Sequence, residues 1–279
     1  MWDLEARVKI IFMHQNIEKY NLRAKQVNSL VCVGLDSEYE KLPANFKDQE
    51  FPQFEFNKWI IDETAEFVSA FKPNSAFYEA RGEKGWFQLK LTIEYIKNKY
   101  PDIFTILDAK RADIGNTNNG YVKAVFDDLG FDAITLHPFL GQEALKPFLD
   151  RADKTSIILC RTSNPGAGEF QDIIAVDGKT LWQTVAQKVS TDWNKNNNCM
   201  LVVGATYPKE LAEVRKLVGD MTILVPGVGA QGGDVEATVK AGLNSEKLGM
   251  IINSSRGIIF SENPGEEAKK LRDEINLYR

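Results

Sequence analysis

Short apolar runs alternate with longer amphipathic stretches along most of the chain. Each run is of the length expected for a buried strand. The runs predict eight strands, at residues 30–36, 70–74, 103–110, 132–136, 156–160, 200–204, 222–225 and 249–252. The stretches between them repeat apolar residues at helical spacing. They predict helices at 3–26, 59–68, 86–99, 120–127, 142–149, 180–194, 209–217 and 264–277. A further helix is predicted after the glycine-rich stretch 227–233 and ends near residue 241.

This alternation predicts an α/β fold with a parallel sheet, because a helix must carry the chain back after each strand. Eight strand–helix units in 279 residues indicate a closed (β/α)8 TIM barrel, with an open doubly wound sheet as the alternative. We expect a single domain over 1–279. An extra N-terminal helical extension (1–29) caps the bottom of the barrel (30–279). Residues 42–56, rich in proline and phenylalanine, are expected to be a linker.

The composition of the chain argues against several classes of protein function. The net charge of −5 and the pI near 5.3 argue against a nucleic-acid binder. No stretch is long and apolar enough for a signal core or a membrane span, so a cytoplasmic protein is expected. Three cysteines without a Cys-x-x-Cys pair do not indicate a disulfide framework or a zinc site. Two histidines argue against a Ser-His-Asp hydrolase or a multi-histidine metal site.

The third predicted strand ends in an unusual group of charges. Asp108 and Lys110 are two residues apart, so they point to one side of the strand, and a loop could turn Asp113 back over Lys110. Such charges are costly to bury unless they pair. The group is either an ion-pair ladder on an edge strand, or an ammonium held charged between carboxylates as a proton donor.

Other polar residues also follow predicted strands, and a parallel barrel would bring them to one rim. They are Asp36, Lys72, Ser163, Gln231 and Arg256. The glycine-rich stretch 227–233 and the stretch 253–257 follow the last two strands, where barrels often bind phosphate. An ordinary glycine turn and a surface ion pair of Arg256 are the alternatives there. The polar loop 161–178 is either a mobile lid or a disordered surface loop.

Asp108-x-Lys110-x-x-Asp113 resembles the signature of the orotidine 5'-phosphate decarboxylase superfamily. The resemblance continues, in the family's order, through most of the chain. The matching segments are 33–36, 71–74, 162–166, 226–233 and 255–257. Thr162-Ser163-Asn164-Pro165-Gly166 is similar to the longer-chain bacterial branch of that family.

The resemblance implies decarboxylation of orotidine 5'-monophosphate (OMP) to UMP, the last step of de novo pyrimidine nucleotide biosynthesis, without a metal or cofactor. Lys110 would protonate C6, with Asp108, Asp113 and Lys72 completing a charged chain. Asp36 and Lys72 would hold the ribose, and Ser163 the pyrimidine. The implied substrate-binding residues are Asp36, Asn74, Ile114, Thr117, Ser163, Pro226, Gln231, Arg256 and Gly257. Of these, Gln231, Arg256 and Gly257 would contact the phosphate.

The resemblance also implies a homodimer in which Asp113, Ile114 and Thr117 reach the partner's site. Two alternatives stay open. One is a magnesium-dependent sugar-phosphate lyase of the same superfamily, such as 3-keto-L-gulonate 6-phosphate decarboxylase or hexulose phosphate synthase. The other is a catalytically silent barrel that senses a nucleotide monophosphate. The Ser163 loop favours the nucleotide enzyme over the first, and the costly pair Lys110 and Asp113 argues against the second.

Overall fold

A computed structural model describes residues 17–228 and 233–279 of the chain. Within these residues, eight parallel strands close into a barrel in sequence order, with β1 paired to β8. The predicted (β/α)8 barrel is therefore confirmed. The strands are β1 (Val31–Val33), β2 (Ala70–Phe71), β3 (Phe104–Arg111), β4 (Ala133–Leu136), β5 (Thr155–Arg161), β6 (Cys199–Val203), β7 (Ile223–Pro226) and β8 (Met250–Ser254).

Helices surround the barrel and connect its strands. They are α1 (Ile17–Gln26), α2 (Ala44–Lys47), α3 (Pro52–Thr64), α4 (Ala76–Glu79), α5 (Gly82–Lys99), α6 (Gly115–Val122), α7 (Gly141–Leu149), α8 (Gly168–Gln171), α9 (Leu181–Lys188), α10 (Pro208–Val218), α11 (Val235–Gly242), α12 (Arg256–Ile259) and α13 (Pro264–Asn276). Two of them continue as wider π-helical turns, α6 through Lys123–Leu129 and α9 through Val189–Trp193.

The apolar runs form strands because both of their faces are covered. All residues of β4, β6 and β8 are buried, as expected for a parallel sheet with helices outside and packed side chains inside. Local signals place the helix starts. Thr180 and Gln183 form a reciprocal capping box at α9, and the side chain of Asp234 caps α11.

The prediction of a linker over 42–56 was wrong. This segment contains α2 and the start of α3, which begins at Pro52 rather than at the predicted residue 59. Proline suits the first turn of a helix, because its missing N–H has no partner there. Phe56 is fully buried and its ring packs on Phe260, so this phenylalanine, which resembled linker composition, belongs to the hydrophobic core.

The predicted helix at 3–26 is described only as α1, since residues 3–16 lie outside the described part of the chain. α1 lies against the amino ends of the strands. Tyr20 donates a hydrogen bond to the carbonyl of Met250, where β8 begins. Arg23 is buried and donates to the carbonyls of Ala65 and Val68, just before β2. The described helix therefore covers the bottom of the barrel, opposite the strand ends that carry the polar residues.

The polar segment after β5 is partly structured. It contains a 3-10 turn, Pro165–Ala167, followed directly by α8. The structure does not test whether it moves as a lid. Among the described residues, no helix is long and apolar enough to cross a membrane.

Candidate active site

The polar residues at the carboxyl ends of the strands surround one cavity of about 450 Å³. Its wall includes residues at or next to the carboxyl ends of all eight strands. Of the predicted site residues, eight line it: Asp36, Lys72, Asn74, Asp108, Lys110, Ser163, Pro226 and Arg256. Sequentially distant segments meet here because parallel strands in a closed barrel all end at the same rim.

A chain of three charges lies on one side of the cavity. Lys72 Nζ is 2.9 Å from Asp108 Oδ2, and Lys110 Nζ is 2.7 Å from Asp108 Oδ1. The side chain of Lys72 is only 4% exposed and that of Asp108 12%, whereas that of Lys110 is 48% exposed. Lys110 thus presents its ammonium group to the cavity, and the ammonium is anchored by the nearly buried pair of Asp108 and Lys72. The edge-strand ion-pair ladder considered for Asp108, Lys110 and Asp113 is therefore wrong for Asp108, which is nearly buried in a closed barrel.

The pKa values of the buried pair follow from this geometry. Burial alone would raise the pKa of Asp108, but the charges and hydrogen bonds of Lys72 and Lys110 hold it far below its usual range. Burial alone would lower the pKa of Lys72, but the carboxylates of Asp108 and Asp36 raise it above its usual range. Asp108 and Lys72 are therefore both charged at neutral pH, and neither of them exchanges a proton with the substrate.

The backbone at Lys110 departs from a regular strand. Its φ is +45°, a region that residues with a Cβ rarely occupy. The β3–β4 pairing runs regularly to Leu107 and resumes at Arg111, so residues 108–110 form a bulge opposite one residue of β4. Bulges of this kind redirect side chains near active sites.

Asp36 offers an unsatisfied acceptor in the cavity wall. It follows β1, and its Oδ1 is buried without a hydrogen-bond partner among the described residues. A buried carboxylate oxygen normally has a donor, so this atom is suited to a ligand hydroxyl. Gly34 precedes it, and a Cβ there would lie 2.8 Å from the Cβ of Ser255, so glycine allows β1 and the end of β8 to approach closely at this wall.

Ser163 is held at the cavity by the segment after β5. Gln171 accepts a hydrogen bond from the amide of Thr162 at 2.9 Å and donates one to the Thr162 hydroxyl at 2.9 Å. A Cβ at Gly204, after β6, would lie 2.6 Å from the Cβ of Ser163. Only glycine at 204 therefore lets Ser163 take this position.

The opposite end of the cavity has the features of an anion site. Pro226 and Gly227 lie at the end of β7, and Gly227 has φ +96°, which glycine adopts without strain. Arg256, at the start of α12, is exposed, and within the described chain no carboxylate forms an ion pair with its guanidinium. Gln231 lies outside the described residues. Gly257 is exposed beside Arg256 but does not line the cavity.

Asp113, Ile114 and Thr117 do not line the cavity of their own chain. The expectation that a loop turns Asp113 back over Lys110 is wrong within one chain. The Asp113 carboxylate accepts from the amide of Ile114 at 2.6 Å. Buried Asn118 bonds both the amide of Asp113, at 2.9 Å, and its carbonyl, at 2.6 Å, which fixes this turn.

Comparison with known proteins identifies the family. A sequence model described as the orotidine 5'-phosphate decarboxylase / HUMPS family matches residues 29–271. The chain belongs to this family. It is 47% identical over 249 residues to a protein of Flavobacterium johnsoniae named orotidine 5'-phosphate decarboxylase, covering 89% of this chain and 90% of that one.

Solved structures of the family have the same fold. Leishmania donovani OMP decarboxylase is 38% identical with a TM-score of 0.85, covering 94% of this chain and 98% of that chain. Leishmania donovani UMP synthase is 40% identical with a TM-score of 0.86, covering 94% of this chain. The match spans only 56% of the UMP synthase chain, so this protein corresponds to about half of it.

Several cavity residues of this family member were not singled out from the sequence. They include Thr135 at the end of β4 and Gln171 in α8. Thr135 is a polar residue near the carboxyl end of an apolar strand, a signal that could have identified it. Gln171 lies in a polar segment and carries no such signal.

Asp108→Asn should destabilise the fold at neutral pH by about 3 kcal/mol, because the buried Lys72 would lose its main counter-charge. Since the folded-state pKa of Asp108 is depressed, its contribution is complete above the unfolded-state pKa of about 4 and is lost as pH falls below it. Urea unfolding measures the free energy of unfolding of the variant and of the native protein. The difference between the two should be constant between about pH 5 and 9 and should shrink below about pH 4.

Asp150→Asn is the matched control, since Asp150 is paired to Lys146 on the surface. Its expected cost is below about 1 kcal/mol. Equal losses for the two variants would contradict a structural role for the buried pair.

Proposed function

We propose that this protein catalyses the decarboxylation of OMP to UMP. The observation that carries the proposal is the ammonium of Lys110, presented to a cavity from the buried pair of Asp108 and Lys72. The matched relatives named orotidine 5'-phosphate decarboxylase support it.

The reaction requires a group that stabilises and then quenches negative charge. When the bond between C6 and the carboxylate breaks, carbon dioxide leaves and its electron pair stays on C6. A fixed ammonium near C6 stabilises the charge as it develops. Lys110 then transfers a proton to C6 to form UMP, and its neutral amine takes up a proton from solvent. Asp108 and Lys72 keep the ammonium in place, since both are charged and nearly buried.

The other cavity residues have roles that suit a nucleotide monophosphate. The free Oδ1 of Asp36 accepts from a ribose hydroxyl, with Lys72 and Asn74 beside it. Ser163 contacts the pyrimidine from the segment after β5, Pro226 contacts the substrate, and Gln231, Arg256 and Gly257 hold the phosphate. Phosphate contacts remote from C6 supply binding energy that helps to offset the cost of the charged site.

We also propose a homodimer with shared sites. Apolar side chains stand exposed on the turns after β3 and β4, with Ile114 65%, Phe139 83% and Leu140 43% exposed in a single chain. Large exposed apolar groups at one rim mark a contact surface. Asp113 lies beside Ile114, and Thr117 lies in the first turn of α6. Neither lines the cavity of its own chain, so we infer that they complete the partner's site. Three free buried cysteines fit a reducing cytoplasm.

The reaction can be followed by the loss of the orotate ultraviolet band when purified protein is incubated with OMP and EDTA. We expect conversion to UMP without added metal. Lys110→Ala should abolish turnover because no other ammonium is presented at this position, whereas Lys90→Ala, an exposed lysine on α5, should not affect it. A magnesium requirement would instead favour a sugar-phosphate lyase, and UMP binding without turnover a silent sensor.

Arg256→Ala should weaken binding of OMP by about 1.5 to 3 kcal/mol, the range for hydrogen bonds to charged groups. Binding of orotidine, which lacks the phosphate, should change little, because the guanidinium then has no partner. Calorimetry with both ligands measures this difference. An equal loss for both ligands would place Arg256 elsewhere on the substrate.

Co-expression of Asp113→Ala and Lys110→Ala chains tests the shared site. Each variant alone should be inactive, but a hybrid dimer would contain one site with both native residues. Random pairing should restore about a quarter of native sites, as follows from two-fold symmetry. If both residues served the site of their own chain, no hybrid site would be intact and activity would stay absent.

A further inference from the structure

The hydroxyl of Thr135 connects Asp108 and Lys110 of β3. Thr135 is 1% exposed and lines the cavity from the end of β4. Its Oγ1 donates a hydrogen bond to Asp108 Oδ1 at 2.8 Å and accepts one from the backbone amide of Lys110 at 2.9 Å. One side chain therefore bonds both the carboxylate that anchors the ammonium and the backbone that carries it.

The bulge explains why Lys110 needs this acceptor. Leu107 pairs with Ile134 and Arg111 with Leu136, so the three residues 108–110 lie opposite Thr135 alone. In a regular ladder, a backbone carbonyl would accept from the amide of a strand residue. Here the Thr135 hydroxyl takes that place. A buried amide without a partner is rare, and Lys110 is also held at a φ of +45°.

Thr135 also completes the coordination of Asp108. Oδ1 accepts from the Lys110 ammonium at 2.7 Å and from Thr135, while Oδ2 accepts from Lys72 at 2.9 Å. These three donors together fix the orientation of the Asp108 carboxylate plane. Without the hydroxyl, Oδ1 would keep only its bond from the Lys110 ammonium, so this oxygen and the ammonium could shift together while Oδ2 stays bonded to Lys72.

We propose that Thr135 is a positioning residue, which holds Asp108 and the strained backbone of Lys110 so that the Lys110 ammonium stays at the reacting carbon. This inference rests on the proposed decarboxylation. Thr135 itself transfers no proton to the substrate. Its effect should appear in the chemical step rather than in binding, because its described hydrogen bonds are to Asp108 and Lys110 and not to Asp36 or Arg256, which are proposed to hold ribose and phosphate.

The test compares Thr135→Val, which keeps the shape but lacks the hydroxyl, with Thr135→Ser, which keeps the hydroxyl. We expect kcat for OMP to fall about 100-fold in the valine variant, the scale of a misplacement near 1 Å, with KM nearly unchanged. The serine variant should recover most of kcat. Equal losses in both variants, or a loss confined to KM, would overturn the proposal.

Thr105→Val is the matched control. Thr105 is also 1% exposed, donates to the carboxylate of Asp132 at 2.9 Å and accepts from a backbone amide at 3.1 Å, but it does not line the cavity. It should lower the melting temperature about as much as Thr135→Val without lowering kcat. A matching fall in kcat would show that any buried threonine in the barrel has this effect.

A second measurement does not depend on turnover. In ligand-free crystal structures, Lys110 should leave its positive φ, or its Nζ should move away from Asp108 Oδ1, in Thr135→Val but not in Thr135→Ser. An unchanged Lys110 in the valine variant would overturn the inference whatever the rate. Failure of the native protein to decarboxylate OMP would refute the proposed function, and the crystal structures would still decide whether Thr135 positions Lys110.

Discussion

The candidate site depends on the buried ion pair of Lys72 and Asp108. Removing two charges from water costs several kcal/mol for each ion, so the pair is tolerated only where geometry and further donors compensate. Lys72 meets this condition through Asp108 and the nearby Asp36, and Asp108 through two ammonium groups and Thr135. The result is a fixed negative group inside the barrel, to which the more exposed ammonium of Lys110 is attached.

The closed barrel makes this arrangement possible. Lys72 follows β2 and Asp108 lies in β3, and the main-chain bonds of Ser75 and Asp108 continue that pairing beyond the named strand. On the other side of β3 the pairing is irregular, and a side chain of β4 replaces the missing main-chain acceptor. Regular pairing thus fixes the buried pair, while the bulge directs Lys110 toward the cavity. The buried pair and the bulge both depend on neighbouring strands, which the closed barrel holds side by side.

The rim beyond β3 and β4 has a different character. Asn118 fixes the turn of Asp113, yet Ile114 on this turn is exposed, and Asp113 does not line the cavity of its own chain. Phe139 and Leu140 after β4 are exposed as well, and grouped exposed apolar side chains mark a contact surface. This is the physical basis for proposing that a second copy completes the site.

Local sequence patterns were enough to predict the class of fold and eight of the residues that line the cavity. Strand–helix alternation can be read from local periodicity, and charged residues at the ends of apolar runs stand out because burial penalises them. Local composition was misleading at 42–56, since phenylalanines that pack in the core cannot be told from those of a linker without the partner ring of Phe260.

The positions of Thr135 and Asp113 depend on tertiary contacts. A register shift places Thr135 opposite three residues of another strand, and hydrogen bonds with Asn118 fix the turn of Asp113, which does not line the cavity of its own chain. Register and loop direction come from contacts between distant segments, which no local pattern encodes.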